Sequence, residues 1–339
     1  MRVLFFEKPL FIRKDLPVAA QRWPDEVVVA VCCPFPLFSG AFRFPRTQVY
    51  NNLPLVIDPQ YKPWEWLTEN PWFASVFLIF KLDANGVAHK QVCETAEQME
   101  KFMEQASSLV CAADWDHTGA LGFNLFVEHF APHLHGKRHD VVCTDTFPAD
   151  PVSLYRQPLS SDQSDFIALG NAGRIKRYFD YNFHLNGNVI LGDLYRSITD
   201  SNPGASISKY MLLILFYLHG TGPRPHHKVR SDMCQWKGKP GSAGPVASVG
   251  SPASATSIIQ NLVTLGLLSE SQSGLVAVSA IGQQFLLGLH KDCYDPHLPQ
   301  RITGWQKLPF LQAQPLIERY LKTFFGKQKR YQAKRLRAQ

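Results

Sequence analysis

The chain has 339 residues, 45% of them apolar, enough for two domains with cores of their own. Lys+Arg 35 against Asp+Glu 28 gives a net charge of +7, which favours an anionic partner such as nucleic acid. The seven cysteines include no Cys-x-x-Cys, so a zinc ribbon has no support. The apolar run Met211 to Leu218 is far short of the roughly 20 residues that cross a bilayer and reads as a buried helix, so no membrane partner is expected.

The first ~145 residues alternate strand and helix signals, the pattern of an α/β domain. Val3-Leu4-Phe5-Phe6 is strand-like and ends in Glu7-Lys8-Pro9. Val27 to Val31 and Val76 to Phe80 are short apolar strands. Thr95 to Gln105 reads as a polar helix, with Thr95-x-x-Gln98 resembling a capping box. Leu109 to Ala113 is strand-like, ends in Asp114-Trp115-Asp116, and leads into a helix from Gly119 to Phe130. Val141 to Thr144 is a further strand, and Pro148 and Pro151 mark a domain boundary. From Asp165 the pattern is helical, with helices over Phe166 to Leu185 and Ile207 to His219. Residues 220–249 read as a basic loop rich in Gly and Pro. Ser254 to Leu265 is an amphipathic helix ending at Gly266, followed by a short hairpin and a helix from Ala280 to Leu289. This unit resembles a winged helix. The expected organisation is an α/β domain over 1–150, a helical domain over 151–325 and a basic tail over 326–339. The odd cysteine count and the lack of a signal-peptide pattern fit reduced thiols in the cytoplasm.

Carboxylates at the tips of two strands can converge at one edge of a parallel sheet, where open α/β sheets bind ligands. Glu7, Asp114 and Asp116 are hard oxygen ligands suited to Mg²⁺, an ion that keeps waters and bridges to phosphate. The three predict a metal site for phosphodiester chemistry. Arg174, Lys176 and Arg177 share one helix and suit a phosphate backbone; Lys209 is a weaker member of the set. Arg224, Lys228, Arg230, Lys237 and Lys239, with Trp236 among them, make the 220–249 loop compatible with single-stranded nucleic acid.

At these residues the chain resembles the type IA DNA topoisomerases, in particular the bacterial topoisomerase III group. Met1 to Pro9 is similar to the opening of that family's Toprim domain, and Asp58-Pro59-Gln60-Tyr61-Lys62-Pro63-Trp64 to a later segment of it. Ala113 to Gly119 stands where the family has Asp-x-Asp-Arg-Glu-Gly. Gly170 to Asn186 resembles its next DNA-binding helix, and Ser206-Ile207-Ser208-Lys209 lies where it has Ser-Val-Gly-Arg. Gly250 to Ile259, Gly282, Asp295-Pro296 and Trp305 resemble its closing helical domain. The resemblance implies a Toprim domain of Rossmann-like parallel sheet, and Mg²⁺ held by Glu7, Asp114 and Asp116. It implies Lys8 near the scissile phosphate and DNA, single-stranded above all, as the ligand.

The chain also departs from that family. Thr118 replaces the fourth acid, His117 the neighbouring Arg, and Ser251 the Arg of the closing Gly-x-Pro motif. The family's arch domains, which carry the nucleophilic Tyr, are replaced by residues 220–249, which contain no Tyr. Tyr195, in Tyr195-Arg196-Ser197-Ile198-Thr199-Asp200-Ser201, is the one remaining nucleophile candidate, with altered spacing and order. Three functions stay open: a trimmed topoisomerase relative holding single-stranded DNA, a Toprim-type Mg²⁺-dependent nuclease, and a non-catalytic DNA-binding subunit that needs a protein partner.

Overall fold

The computed structural model describes residues 1–7, 9, 12–33, 42–45, 52–60, 77–142, 159–238, 247–249 and 252–338. The chain divides into two compact units: Met1–Arg43 with Gln60–Arg177, and Phe44–Pro59 with Tyr178–Gln339. The expected boundary near 150 falls outside the described residues; the division lies inside a helix, after Arg177.

In unit 1, β1 (Arg2–Phe6) leads into α1 (Ile12–Arg22) and β2 (Val28–Cys32). The antiparallel strands β3 (Leu78–Leu82) and β4 (Ala88–Val92) follow, then α2 (Ala96–Met103) and β5 (Ser108–Cys111). After them come α3 (His117–Phe130), β6 (Asp140–Val141), β7 (Leu159–Ser160) and the first part of α4 (Ser164–Thr199). Among the described residues the strands form one sheet in the order β4-β3-β2-β1-β5-β6-β7. The centre, β2-β1-β5-β6, is parallel; β3, β4 and β7 join antiparallel at the edges.

Burial on both faces explains why β1 reads as an unbroken apolar run. Val3 and Phe5 enter a core with Phe102, Phe123 and Phe126 from α2 and α3. Leu4 and Phe6 enter the opposite core with Ile12, Leu16 and Ala19 of α1. The alternation is that of a pleated strand, whose successive side chains point to opposite faces. At the N-terminal end of the sheet the Arg2 guanidinium lies 2.8 Å from both the Glu26 and Asp140 carboxylates and stacks 4.4 Å over Trp23. Thr95 caps α2 as the sequence predicts, accepting from the Gln98 N–H at 3.1 Å. The Gln98 side chain returns to the Glu94 N–H, one residue earlier than the standard box.

Unit 2 contains the rest of α4 from Tyr178, then α5 (Lys209–Thr221), β8 (Arg224–Pro225), α6 (His226–Cys234) and α7 (Pro252–Thr264). The hairpin β9 (Leu268–Glu270) and β10 (Leu275–Val278) leads to α8 (Ala280–Gly288), α9 (Leu298–Gln306) and α10 (Phe310–Ala338). β8, β10 and β9 form a small antiparallel sheet. Gly282 has no room for a side chain, since a Cβ would lie 2.1 Å from the Leu267 carbonyl oxygen.

Two expectations are corrected here. The segment expected as a basic loop carries β8 and α6, and the expected basic tail is the C-terminal part of α10. In both, Lys and Arg cover the solvent side of an ordered element whose inner face is apolar. Val229 and Met233 are buried on α6, as are Ile317, Leu321 and Phe325 on α10.

Two buried asparagines one turn apart on α4 hold the 44–59 excursion within unit 2. Asn182 accepts from the Ile57 N–H at 2.8 Å and donates to the Ile57 carbonyl at 2.8 Å. Asn186 does the same to Leu55, at 2.8 and 2.7 Å. A helical turn of about 5.4 Å and a two-residue step of extended chain of about 6.6 Å are close enough for the two amides to act as the edge of a neighbouring strand. No described helix is long and apolar enough to cross a membrane.

Candidate functional site

Alternation of connections places the site. From the C-terminal end of β1 the chain passes through α1 on one face to β2; from that of β5 it passes through α3 on the other face to β6. The two exits diverge, and the crevice between them is a topological switch point. Glu7 follows β1, and Asp114-Trp115-Asp116 follows β5. Phe5 is in register with Cys111, and the Ala112 N–H donates to the Phe5 carbonyl at 2.8 Å. Carried past the strand ends, that register sets Glu7 level with Ala113, one residue before Asp114. The sequence-predicted acids therefore lie on adjacent strand exits.

Glu7 is only 9% exposed. Burial first, and the Glu7 charge in addition, push the thiols of Cys32 and Cys111 up to about 12. Cys32 ends β2 and Cys111 ends β5, so the Glu7 carboxylate is felt at the exits of both strands that flank its own. Asp114 is half-buried, and its carbonyl accepts from the Asp116 N–H at 2.8 Å. Asp116 is exposed and caps α3, with Oδ1 accepting from the N–H groups of Thr118 at 2.7 Å and Gly119 at 2.8 Å. A carboxylate there also offsets the positive end of the helix dipole.

Glycines allow this packing. A Cβ on Gly119 would lie 2.1 Å from the Asp114 carbonyl oxygen. On α4, Cβ atoms at Gly170 and Gly173 would lie 2.8 Å from the Asn124 side chain and 2.2 Å from the His117 carbonyl oxygen. The α4 backbone thus passes directly against the first turns of α3, and Arg174, exposed, is the next residue along. Lys176 and Arg177 are half-buried. The Gly-x-x-Gly spacing is visible in the sequence, and its meaning is this close helix contact.

The donor set suits Mg²⁺ in type but not as a ready-made cage of three. Among the described residues no three His, Cys, Asp or Glu side chains are gathered as a metal cluster, and Asp116 is engaged as a cap. Mg²⁺ is commonly held by one or two carboxylates with waters and substrate phosphate. Glu7 and Asp114 are the two carboxylates that the strand register brings to adjacent exits.

The other sequence-predicted residues have different surroundings. Lys8 lies outside the described residues, as do Lys239 and Ser251. Lys209 is buried and ion-paired with buried Asp180, its ammonium 4.5 Å from the Tyr210 ring centroid. It serves the interior of unit 2, so the phosphate contact expected of it is corrected. Tyr195 is also interior, its hydroxyl donating to the Leu265 carbonyl at 2.8 Å. In the 224–237 segment, Trp236 is buried and donates from Nε1 to the Pro296 carbonyl at 2.6 Å, so it is not a stacking platform. Lys228 pairs with Asp232 at 2.8 Å.

No protein-family model matches this chain, and no curated protein matches it.

Proposed function

We propose that this protein is a nucleic-acid-binding relative of the type IA DNA topoisomerases that holds single-stranded DNA and lacks strand passage of its own. The observation that carries the reading is the placement of Glu7 and Asp114 on the exits of adjacent parallel strands at the switch-point crevice. In this reading unit 1 is a Toprim domain. Glu7 and Asp114 would hold Mg²⁺, and the ion would supply polarisation of a phosphate oxygen. Arg174 and Arg177, on the helix packed against α3, would attract the phosphate backbone of the strand without reading its sequence. The helix–hairpin–helix run through α7, β9, β10 and α8 supports a winged-helix-like module in unit 2.

A second reading, an accessory subunit without cleavage, draws on Asp116. Its Oδ1 is held by the first turn of α3, which leaves one carboxylate oxygen, and Thr118 has no carboxylate to offer.

One experiment separates the readings: purified chain incubated with labelled single-stranded DNA and with supercoiled plasmid, in Mg²⁺ or in EDTA. Binding without relaxation is expected, because the Tyr195 hydroxyl is buried on a backbone carbonyl and a nucleophile must stand at the scissile phosphate. Mg²⁺-dependent nicking lost in Asp114→Asn would assign cleavage to the crevice. Binding with no cleavage in any metal would leave the accessory role. Relaxation by the chain alone, lost in Tyr195→Phe, would refute the proposal.

A further inference from the structure

The C-terminal helix α10 sorts its residues into two faces. Ile317, Leu321, Phe324, Phe325 and Gln328 are buried. Gln328 is held on both sides of its amide: Oε1 accepts from the His290 N–H at 2.7 Å and Nε2 donates to the Gly288 carbonyl at 2.9 Å. One turn on, Gln332 donates to the Ile190 carbonyl at 2.9 Å. Apolar packing and these amides fix the rotation of the helix about its axis.

Arg330, Lys334 and Arg337, at i, i+4 and i+7, then share the outer face, while Lys329 and Arg335 lie off that stripe; all five are exposed. Lys329 and Arg335 donate to neutral backbone carbonyls, of Leu53 and Leu287, rather than to carboxylates. Among the described residues no carboxylate lies in salt-bridge range of any of the five. The nearest basic neighbours do have partners: Lys322 pairs with Glu318, and Lys327 with Asp292. From Arg319 to Gln339 the sequence holds no acid at all.

Arg330, Lys334 and Arg337, each a turn from the next on one side of the helix, repel one another. Attraction to the helix dipole reaches only the last turn. It does not account for Lys329 and Arg330, two turns further in. We propose that this face of α10 is a second nucleic-acid contact, a preordered ridge that grips the phosphate backbone. The inference extends the proposed function: it rests on nucleic acid being the ligand and is independent of chemistry at Glu7 and Asp114. Basic groups one helical turn apart are about 5–6 Å from each other, and a nucleic-acid strand offers a charge about every 3.4 Å. Each side chain can therefore neutralise a different phosphate. Recognition is of backbone charge, without base readout.

The test uses the full chain and a fluorescently labelled 24-nucleotide single strand, titrated by anisotropy from 50 to 300 mM KCl. Phosphatidylserine vesicles serve as a second anionic surface. In Arg330→Glu/Lys334→Glu/Arg337→Glu, three lost phosphate contacts should lower the salt slope by about 2 and weaken binding about a hundredfold at 0.1 M salt. Circular dichroism should be unchanged, since the three positions are exposed. Single-strand affinity and salt slope equal to wild type would overturn the ridge while leaving the switch-point reading intact. Capture by vesicles with no single-strand binding would overturn both. A ridge-dependent affinity that persists in Asp114→Asn, with no Mg²⁺-dependent step detected, would uphold the ridge and leave the metal reading to fall alone.

Discussion

Gly119→Ala is the most informative single substitution at the crevice. The new methyl would stand 2.1 Å from the Asp114 carbonyl oxygen, with the Asp114 carbonyl carbon at 3.1 Å and its nitrogen at 3.2 Å. All three are backbone atoms and cannot rotate away, so the first turn of α3 must move. Overpacking of this kind costs about 1–3 kcal/mol, and contact with rigid backbone puts this case near the upper end. Displacing the turn also weakens the bonds that Asp116 makes to the Thr118 and Gly119 amides, a cap worth about 1 kcal/mol. Alanine's better helix propensity returns at most about 1 kcal/mol. The net expectation is a loss of about 2–3 kcal/mol in unit 1. Urea denaturation with hydrogen exchange of peptides spanning 109–125 reads it, and exchange at Thr118 and Gly119 should accelerate first. Gly304→Ala is the control, because a Cβ there meets nothing within 4 Å inside α9. A Gly119→Ala protein as stable as that control, with unchanged exchange, would refute the close-packed crevice.

Further outcomes follow from the same geometry. Asp116→Ala should cost about 1 kcal/mol as a lost N-cap, measured by urea denaturation; Asp116→Asn, which keeps an acceptor, should recover most of it. Lys209→Ala should destabilise unit 2 by about 3 kcal/mol by taking the Lys209 ammonium away from the buried Asp180 carboxylate, and Lys209→Met/Asp180→Leu should regain most of that loss in thermal melts. Cys32 and Cys111 keep their protons up to about 12 in the fold but lose them near 9 when unfolded. The folded state therefore binds more protons in that window, and stability should fall as pH rises from about 9 to about 12. Urea midpoints against pH in Cys32→Ala/Cys111→Ala should show a shallower fall than the unsubstituted chain.

The centre of the sheet was legible because parallel strands buried on both faces must be apolar throughout, as Val3 to Phe6 and Leu109 to Cys111 are. The edge strand β4 was not, since Ala88-His89-Lys90-Gln91-Val92 buries one residue and otherwise faces solvent. α1 was hidden by Pro17 within it, a residue that normally argues against a helix interior. Strand-end position in the sequence is what singles out the acids Glu7, Asp114 and Asp116. That Asp116 serves as a cap depended on two backbone N–H groups, which sequence does not display. In the sequence Lys209 looks like a surface charge because its partner Asp180 lies 29 positions away. The order of α10 was masked by its composition: six basic residues from Lys327 onward look like a tail until the buried phase of Phe324, Phe325 and Gln328 is seen.

The asparagine clasp bears on how this chain can be divided or exchanged between proteins. The backbone passes between the two units at 43/44, at 59/60 and again at 177/178. A single genetic junction placed inside α4 would leave residues 44–59 on one product and Asn182 and Asn186 on the other. Leu55 and Ile57 would then carry four backbone groups without the amides that pair them. On the product that lacks 44–59, the buried amides of Asn182 and Asn186 lose those partners, and an amide left buried without a partner costs about 1–3 kcal/mol. Unit 2 is therefore expected to fold when residues 44–59 are supplied with 178–339, and a fragment ending at Arg177 to lose nothing when 44–59 is replaced by a short linker.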